Sequence, residues 1–89
     1  MQKTTLKLFI VPGTARSAAA LTTAQELLDA KPGHGHELVV IDVLRDPELA
    51  QAGNVLATPT LIKAFPPPER RAVGDLSNHA DLASVLGLW

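Results

Sequence analysis

One stretch restricts the fold of this chain more than any other: Pro59 opens an apolar run, Thr60–Phe65, and Pro66-Pro67-Pro68 closes it. A proline favours an extended conformation in the residue before it, and it cannot donate a hydrogen bond to a sheet. The apolar run is therefore predicted to be a strand. The segment that follows the prolines, residues 71–74, is predicted to return beside it as an antiparallel strand.

The hydrophobic periodicity predicts two further strands and three helices. Two β-branched or apolar runs that suit buried strands precede the proline-rich stretch, and helical segments begin and end at turn residues. The predicted elements are a strand at Leu6–Val11, a helix at Ala15–Ala30 begun by Thr14 or Ser17, a strand at Leu38–Leu44, a short helix that begins at Asp46-Pro47 with the Asp46 side chain as its cap and ends at Gly53-Asn54, and a last helix begun by Ser77 or Asn78. The order β-α-β-α-β-β-α predicts an α/β, thioredoxin-like single domain over residues 1–89.

The first and last predicted helices each carry an apolar stripe on one side. In the first helix Leu21, Ala24, Leu27 and Leu28 share the stripe, and Thr23 is predicted to face water. In the last helix the stripe is predicted to hold Leu82, Val85, Leu86 and Trp89. The short middle helix is only weakly apolar on one side, and a helix of this length is marginal in water. Of all the predicted elements, this helix is therefore the one whose conformation the local sequence favours least.

The composition excludes several classes of function. The chain has 89 residues, a net charge of −1 and no cysteine. It lacks the basic surplus of a general nucleic-acid binder, and it cannot form disulfides or a thiolate nucleophile. No apolar run approaches the ~20 residues of a membrane span, and the N-terminus does not resemble a signal peptide. We therefore expect a cytoplasmic protein that binds neither nucleic acid nor membrane.

The sequence also lacks the motifs of common catalytic and metal sites. At the first strand-to-helix junction, where a thioredoxin-like oxidoreductase needs a thiolate, stands Pro12-Gly13-Thr14. The carboxylates form no paired motif, and no phosphate-binding loop is present. His34 and His36 are separated by one residue, but no third ligand has a fixed spacing to them, so an exposed turn is favoured over a metal site. The chain is predicted to be no enzyme and to need no cofactor.

Four segments of the sequence carry a family resemblance. They are Ile41-Asp42-Val43-Leu44, Leu56-Ala57-Thr58-Pro59-Thr60-Leu61, Pro66-Pro67-Pro68-Glu69-Arg70-Arg71 and Gly74-Asp75-Leu76-Ser77-Asn78. Together they closely resemble the KaiB family of prokaryotic clock proteins. The sensor domain of the SasA histidine kinases shares the strand and helix frame but not this full series. Cyanobacterial members carry an acidic C-terminal extension that this sequence does not show, so the resemblance favours a non-cyanobacterial relative.

The resemblance implies a function and a set of partner-binding residues. It implies a clock or timer adaptor that binds the N-terminal ATPase ring of a KaiC-type protein and modulates its phosphorylation or ATPase cycle, with KaiA and SasA as further, indirect partners. The alternative is a KaiB-like sensor or docking domain of a SasA-type kinase. The partner-binding positions implied are Asp46, Pro47, Glu48, Leu49, Asn54, Lys63, Arg70 and Arg71.

The resemblance also implies a second fold. Members of the family are known for a state that keeps the N-terminal β-α-β half and rearranges the rest to β-α-α-β. Two packings of one sequence can coexist when they differ by a few kcal/mol. The residues assigned to this switch, or to the turns that permit it, are Pro59, Pro66, Pro67, Pro68, Gly74 and Asp75. The resting oligomer stays open between monomer, dimer and tetramer.

Two details of the central stretch stay open at this point. From the residues alone, Arg70 and Arg71 fit two roles equally: a basic pair that contacts a partner, or charges that deter aggregation at a sheet edge. The bond before Pro59 fits either isomer, because the base rate favours trans, whereas a proline in front of this strand is commonly cis in the thioredoxin fold. A polyproline ligand for an SH3-like domain is disfavoured, since the prolines lie inside a predicted hairpin.

Overall fold

The computed structural model, which describes residues 4–29, 36–74, 76 and 79–87, confirms the predicted order of elements. The elements are β1 (Thr4–Ile10), α1 (Ala15–Asp29), β2 (His36–Asp42), α2 (Pro47–Ala52), β3 (Thr60–Phe65), β4 (Arg70–Val73) and α3 (His79–Leu86). β3 has the predicted bounds, and the ends of the other strands differ by one or two residues. The C-terminal half is therefore α-β-β-α in this structure, and the fold is thioredoxin-like.

The four strands form one sheet in the order β2-β1-β3-β4. β1 and β2 pair in parallel through the α1 crossover, from Thr4 opposite His36 to Ile10 opposite Asp42. β3 pairs antiparallel with β1, and β4 pairs antiparallel with β3. The central strands β1 and β3 therefore have neighbours on both sides, whereas β2 and β4 are the edges.

One face of the sheet, called here the α1/α3 face, is covered by α1 and α3. Its core is formed by side chains of β1, β3, both helices and the segment before α3, all of them buried: Leu6, Leu8, Leu61, Ala20, Ala24, Leu27, Leu28, Leu76, Leu82, Ala83 and Leu86. Thr14 begins α1, because the Ser17 N–H donates to Thr14 Oγ1 at 3.3 Å. Hydrophobic burial of this kind is the main favourable term in folding.

The predicted apolar stripes are correct in most positions of α1 and α3 and wrong in two. Thr23 was predicted to face water, but it is buried, and its hydroxyl donates to the Ala19 carbonyl at 3.0 Å. Val85 was predicted to join the core, but its side chain is 49% exposed, and Ala83 is buried instead. The other two predicted features, Trp89 and the capping residues Ser77 and Asn78, lie outside the described residues.

The opposite face, called here the α2 face, has a much smaller core. Phe9, Ile41 and Ile62 are its buried side chains, and the partly buried residues Val39, Val43, Ala50 and Val55 pack against them. α2 contributes no buried residue of its own. The short helix therefore lies on the sheet without being anchored by a deeply buried side chain.

The turns around β3 and β4 contain the residues assigned above to a fold switch. The bond before Pro59 is cis, as are those before Pro66 and Pro68. Pro59 is fully buried, and its carbonyl accepts a hydrogen bond from the Gly74 N–H at 3.1 Å. Gly74 has a φ of +98°, a conformation that favours glycine. Asp75 lies outside the described residues, and the proposed second fold stays a prediction.

Candidate binding surface

The start of α2 follows from Asp46-Pro47. Pro47 occupies the first helical turn, where its missing N–H costs no hydrogen bond. Asp46 was expected to cap the helix, but its side chain makes no capping hydrogen bond. Its ψ of 63° differs from the extended backbone usual at an N-cap, and only its backbone carbonyl takes part, accepting from the Leu49 N–H at 3.1 Å. The expectation of a side-chain cap was therefore wrong.

α2 ends at Gly53-Asn54, as predicted, and its end is a complete Schellman motif. Asn54 has a φ of +54°, the left-handed conformation that asparagine tolerates better than most residues. The Asn54 N–H donates to the Gln51 carbonyl at 3.1 Å, and the Val55 N–H donates to the Ala50 carbonyl at 2.8 Å. These bonds use the carbonyls of Gln51 and Ala50 and not those of Gly53 and Asn54.

Arg71 connects β4 to this end of α2. Its Nη2 donates to the Gly53 carbonyl at 2.9 Å, and its Nη1 lies 3.4 Å from the Asn54 carbonyl oxygen. Nη2 also lies 3.4 Å from Glu69 Oε2. Arg71 is opposite Ile62 in the sheet, so its side chain leaves β4 on the α2 face. One guanidinium thus connects β4 to Asn54 and Gly53, which precede Arg71 by seventeen and eighteen residues in sequence.

Arg70 lies on the other face of the sheet and does not act with Arg71 as a pair. It is opposite Lys63, whose side chain is only 5% exposed. A β-carbon built on Gly87, at the end of α3, would lie 3.7 Å from both Arg70 Nε and Lys63 Nζ. Both cations therefore lie beside the C-terminal end of α3, where the helix dipole favours positive charge. Contact of either residue with a partner stays a prediction.

The outer surface of α2 combines acidic and apolar side chains. Glu48 is exposed, and Leu49 is 45% exposed although it is the largest apolar residue of the helix. Leu44 (72% exposed) and Leu56 (97% exposed) lie in the loops on either side of α2. A groove of about 340 Å³ opens where α2 meets the sheet, and it is lined by Lys7, Phe9, Ile41, Leu49, Ala52, Gly53, Asn54, Ile62, Glu69 and Arg71.

Sequence reasoning did not identify Leu44 and Leu56 as surface residues. Leu44 was predicted to end the second strand, but β2 stops at Asp42, whose Oδ1 accepts hydrogen bonds from the N–H groups of Leu44 and Arg45 at 2.9 and 3.2 Å. Asp42 thereby turns the chain and leaves Leu44 outside the sheet. An aspartate at the end of a strand is a recognised turn signal, and it would have indicated this boundary.

The strand-to-helix junction that precedes α1 uses its hydroxyl groups for backbone structure. The Thr14 hydroxyl donates to the Val11 carbonyl at 2.9 Å, and Ser17 Oγ accepts from the Val11 N–H at 3.1 Å. Within the described residues, no three His, Cys, Asp or Glu side chains are grouped to hold a metal ion. His36 is the first residue of β2, and His34 lies outside the described part of the chain. In the same part of the chain, no helix is both long and apolar enough to span a membrane.

Comparison with known families identifies the chain. The KaiB domain model matches residues 7–88. The chain belongs to the KaiB family. Among named relatives, this KaiB-family chain is 48% identical over 83 residues to the circadian clock oscillator protein KaiB of Prochlorococcus marinus strain NATL2A, covering 93% of this chain and 78% of the relative. The KaiB of strain SARG is 49% identical over 74 residues, and the match covers 83% of this chain and 63% of that protein, just under two thirds of its length.

Solved structures similar to the KaiB-family chain confirm its fold. The N-terminal domain of Synechococcus elongatus SasA superposes with a TM-score of 0.78 at 26% identity, over 100% of this chain and 88% of that domain. Chloroplastic thioredoxin z superposes with a TM-score of 0.76 at 20% identity, over 97% of this chain and 77% of that protein. At 20% identity the second match concerns the fold alone, and both agree with the predicted thioredoxin-like arrangement.

The predicted partner-binding residues of the KaiB-family chain divide between the two faces of its sheet. Lys63 and Arg70 belong to the α1/α3 face, as described above. The others surround α2 or reach it from the sheet: Asp46, Pro47, Glu48, Leu49, Asn54 and Arg71. The structure therefore brings most of these residues together around one short helix, and it separates the two arginines that are neighbours in sequence.

Proposed function

We propose that this chain is a non-catalytic adaptor that binds the N-terminal ATPase ring of a KaiC-type protein and modulates its phosphorylation or ATPase cycle. The docking surface in this proposal is α2 with its flanking loops. KaiA and a SasA-type kinase are further, indirect partners, and binding takes place in the cytoplasm. Membership of the KaiB family and the names of its clock-protein relatives support a role in a clock or timer.

The observation that carries the proposal is the exposure of large apolar side chains on α2 and in the loops beside it. Leu49 leaves nearly half of its apolar surface in water, and Leu44 and Leu56 are still more exposed. These three leucines lie on α2 or in the loops on either side of it, and large exposed apolar patches mark interaction sites. Asp46 and Glu48 add two carboxylates at the start of the helix. We therefore infer a partner surface with a complementary apolar patch bordered by basic groups.

Size-exclusion chromatography tests the proposal directly. The chain is mixed with a cognate KaiC-type hexamer, in separate runs with ATP and with ADP, and its elution is followed. We expect the chain to co-elute with the hexamer under at least one nucleotide condition and to change the ATPase rate of the hexamer. Elution of the chain at its own volume under every condition would contradict the proposal.

A charge-reversed pair of variants tests the location of the docking surface. Glu48→Lys places a positive charge on α2, so we expect it to weaken binding to the hexamer by about tenfold, as measured by titration. Glu26→Lys introduces the same charge change on the exposed side of α1, remote from α2 in the fold, and it should bind like the unmodified chain. Equal effects of both variants would indicate a general charge effect and would remove α2 as the assigned surface.

A docking domain of a SasA-type histidine kinase is the second candidate function. It is favoured by the superposition on the SasA N-terminal domain, which extends over the whole chain. In that case the same reading frame encodes a kinase region, and the domain binds its partner as part of that kinase. Sequencing the transcript beyond the codon for Trp89 distinguishes the two functions, since an adaptor ends without a kinase region.

A further inference from the structure

We propose that Arg71 is a positioning residue, which holds α2 against the sheet so that the helix presents its outer surface only when β4 is paired. In this assignment the guanidinium acts through the carbonyls of Gly53 and Asn54, at 2.9 and 3.4 Å, and not by direct contact with a partner. The effect on α2 is independent of the proposed function. Its consequence for partner binding rests on that function.

The case for such a role begins with the weak anchoring of α2. The helix has six residues, none of them buried, and an isolated helix of this length is marginal in water. On its sheet side it relies on the partly buried Ala50 and on Val55 just beyond its end. A groove of about 340 Å³ remains between the helix end and the strands. Additional contacts are therefore needed to keep the helix in one position.

The chemistry of Arg71 matches the end of the helix to which it binds. The C-terminal end of a helix carries partial negative charge on its unpaired carbonyls, and a cation placed there is favourable. A guanidinium offers several N–H donors in a rigid planar fork, so one side chain can engage two neighbouring carbonyls. The same Nη2 also donates to Glu69 Oε2 at 3.4 Å, which helps to orient the fork.

The position of Arg71 links α2 to β4, two elements that are separated in sequence by β3. The pairing of β4 with β3 places Arg71 opposite Ile62, and from there its side chain reaches the end of α2. Loss of β4 pairing therefore removes the guanidinium from the helix end. Arg70 provides an internal comparison, because it has the same charge and adjoins Arg71 in sequence but lies on the α1/α3 face beside Gly87.

Amide hydrogen exchange followed by NMR tests the positioning role in the isolated chain. Arg71→Met keeps most of the aliphatic stem but removes the donors, and Arg70→Met is its matched control with the same change of charge. We expect the amides of Gly53, Asn54 and Val55 to exchange about tenfold faster in Arg71→Met, relative to the amides of β1, and to be unchanged in Arg70→Met. Unchanged exchange at these three amides, or an equal increase throughout the sheet, would overturn the assignment.

A milder variant keeps the test valid if Arg71→Met does not fold. Arg71→Lys retains the charge but cannot engage both carbonyls through a planar fork, so we expect a smaller increase, about threefold, at the same three amides. Absence of any local increase in Arg71→Lys would count against the positioning role.

Titration with the KaiC-type hexamer separates this inference from the proposed function. We expect Arg71→Met to bind several-fold more weakly than the unmodified chain. Faster local exchange combined with unchanged affinity would overturn the link between α2 position and docking. If the unmodified chain does not bind the hexamer at all, the proposed function fails, whereas the exchange result still decides the role of Arg71.

Discussion

The two faces of the sheet differ in how they are covered, although they share the same four strands. On the α1/α3 face, two helices bury leucine and alanine side chains against Leu6, Leu8 and Leu61. On the α2 face, a six-residue helix without a buried residue covers part of a core formed by Phe9, Ile41 and Ile62. The first face therefore supplies most of the packing, and the second leaves apolar and charged groups available at the surface.

This difference separates stability from recognition within a chain of 89 residues. A small domain has few core positions, so a residue that is essential for packing is rarely available for a partner as well. Here the side chains that we assign to binding lie mainly around α2, where their replacement leaves the larger core intact. Variants on the two faces should consequently separate into those that change the free energy of unfolding and those that change affinity.

The largest expected effect is on the α1/α3 face, at Leu61. This side chain is fully buried in the central strand β3, so Leu61→Ala removes packing and leaves a cavity. We expect the free energy of unfolding to fall by about 2–5 kcal/mol. Urea unfolding followed by circular dichroism measures it, with Leu49→Ala as the control on the α2 face. If both variants lost the same stability, the contrast between the two faces would be wrong.

The next effect is on affinity, at Leu49 itself. Leu49→Ala should lower the free energy of unfolding by no more than about 0.5 kcal/mol, because the side chain is half exposed. It should weaken binding to the KaiC-type hexamer about tenfold, which corresponds to about 1.4 kcal/mol. Isothermal titration of the folded variant measures the affinity. Val85→Ala, at a similarly exposed residue of α3, is the matched control and should bind normally.

A smaller effect distinguishes the glycines at the ends of α3 and α2. Gly87 has a φ of +68°, so Gly87→Ala forces an alanine into the left-handed region and should cost about 1 kcal/mol. Gly53 has a φ of −90°, and an added β-carbon would meet Leu49, Phe9 and Val55 at 3.5–3.6 Å, an ordinary contact distance. Gly53→Ala should therefore change stability by less than about 0.5 kcal/mol. Thermal unfolding of both variants would test this, and a larger loss at Gly53 would contradict it.

Much of the fold could be predicted from the sequence because its signals are local. Pro59 and the three prolines from Pro66 set the bounds of β3, and Pro47 and Asn54 set those of α2. Each of these residues restricts the backbone by its own chemistry, with little help from the rest of the chain. Thr14 caps α1 for the same reason.

The arrangement of the candidate site was harder to predict because it depends on contacts between distant segments. Alternation along a strand implies that Arg70 and Arg71 point to opposite faces, but the sequence does not say which face carries α2. The burial of Lys63 depends on where α3 ends, and the bond from Arg71 to Gly53 depends on where α2 lies relative to β4. The failure of Asp46 as a side-chain cap likewise depends on a backbone angle that propensity does not determine.

The absence of buried residues in α2 has a consequence for how such a protein diverges. A substitution on the exposed side of this helix changes the outline and charge that a partner meets while leaving the free energy of unfolding nearly constant. Single substitutions can therefore change partner specificity, and none of the intermediate sequences needs to fold poorly. Paralogues that share this scaffold could in this way acquire separate partners within one cell.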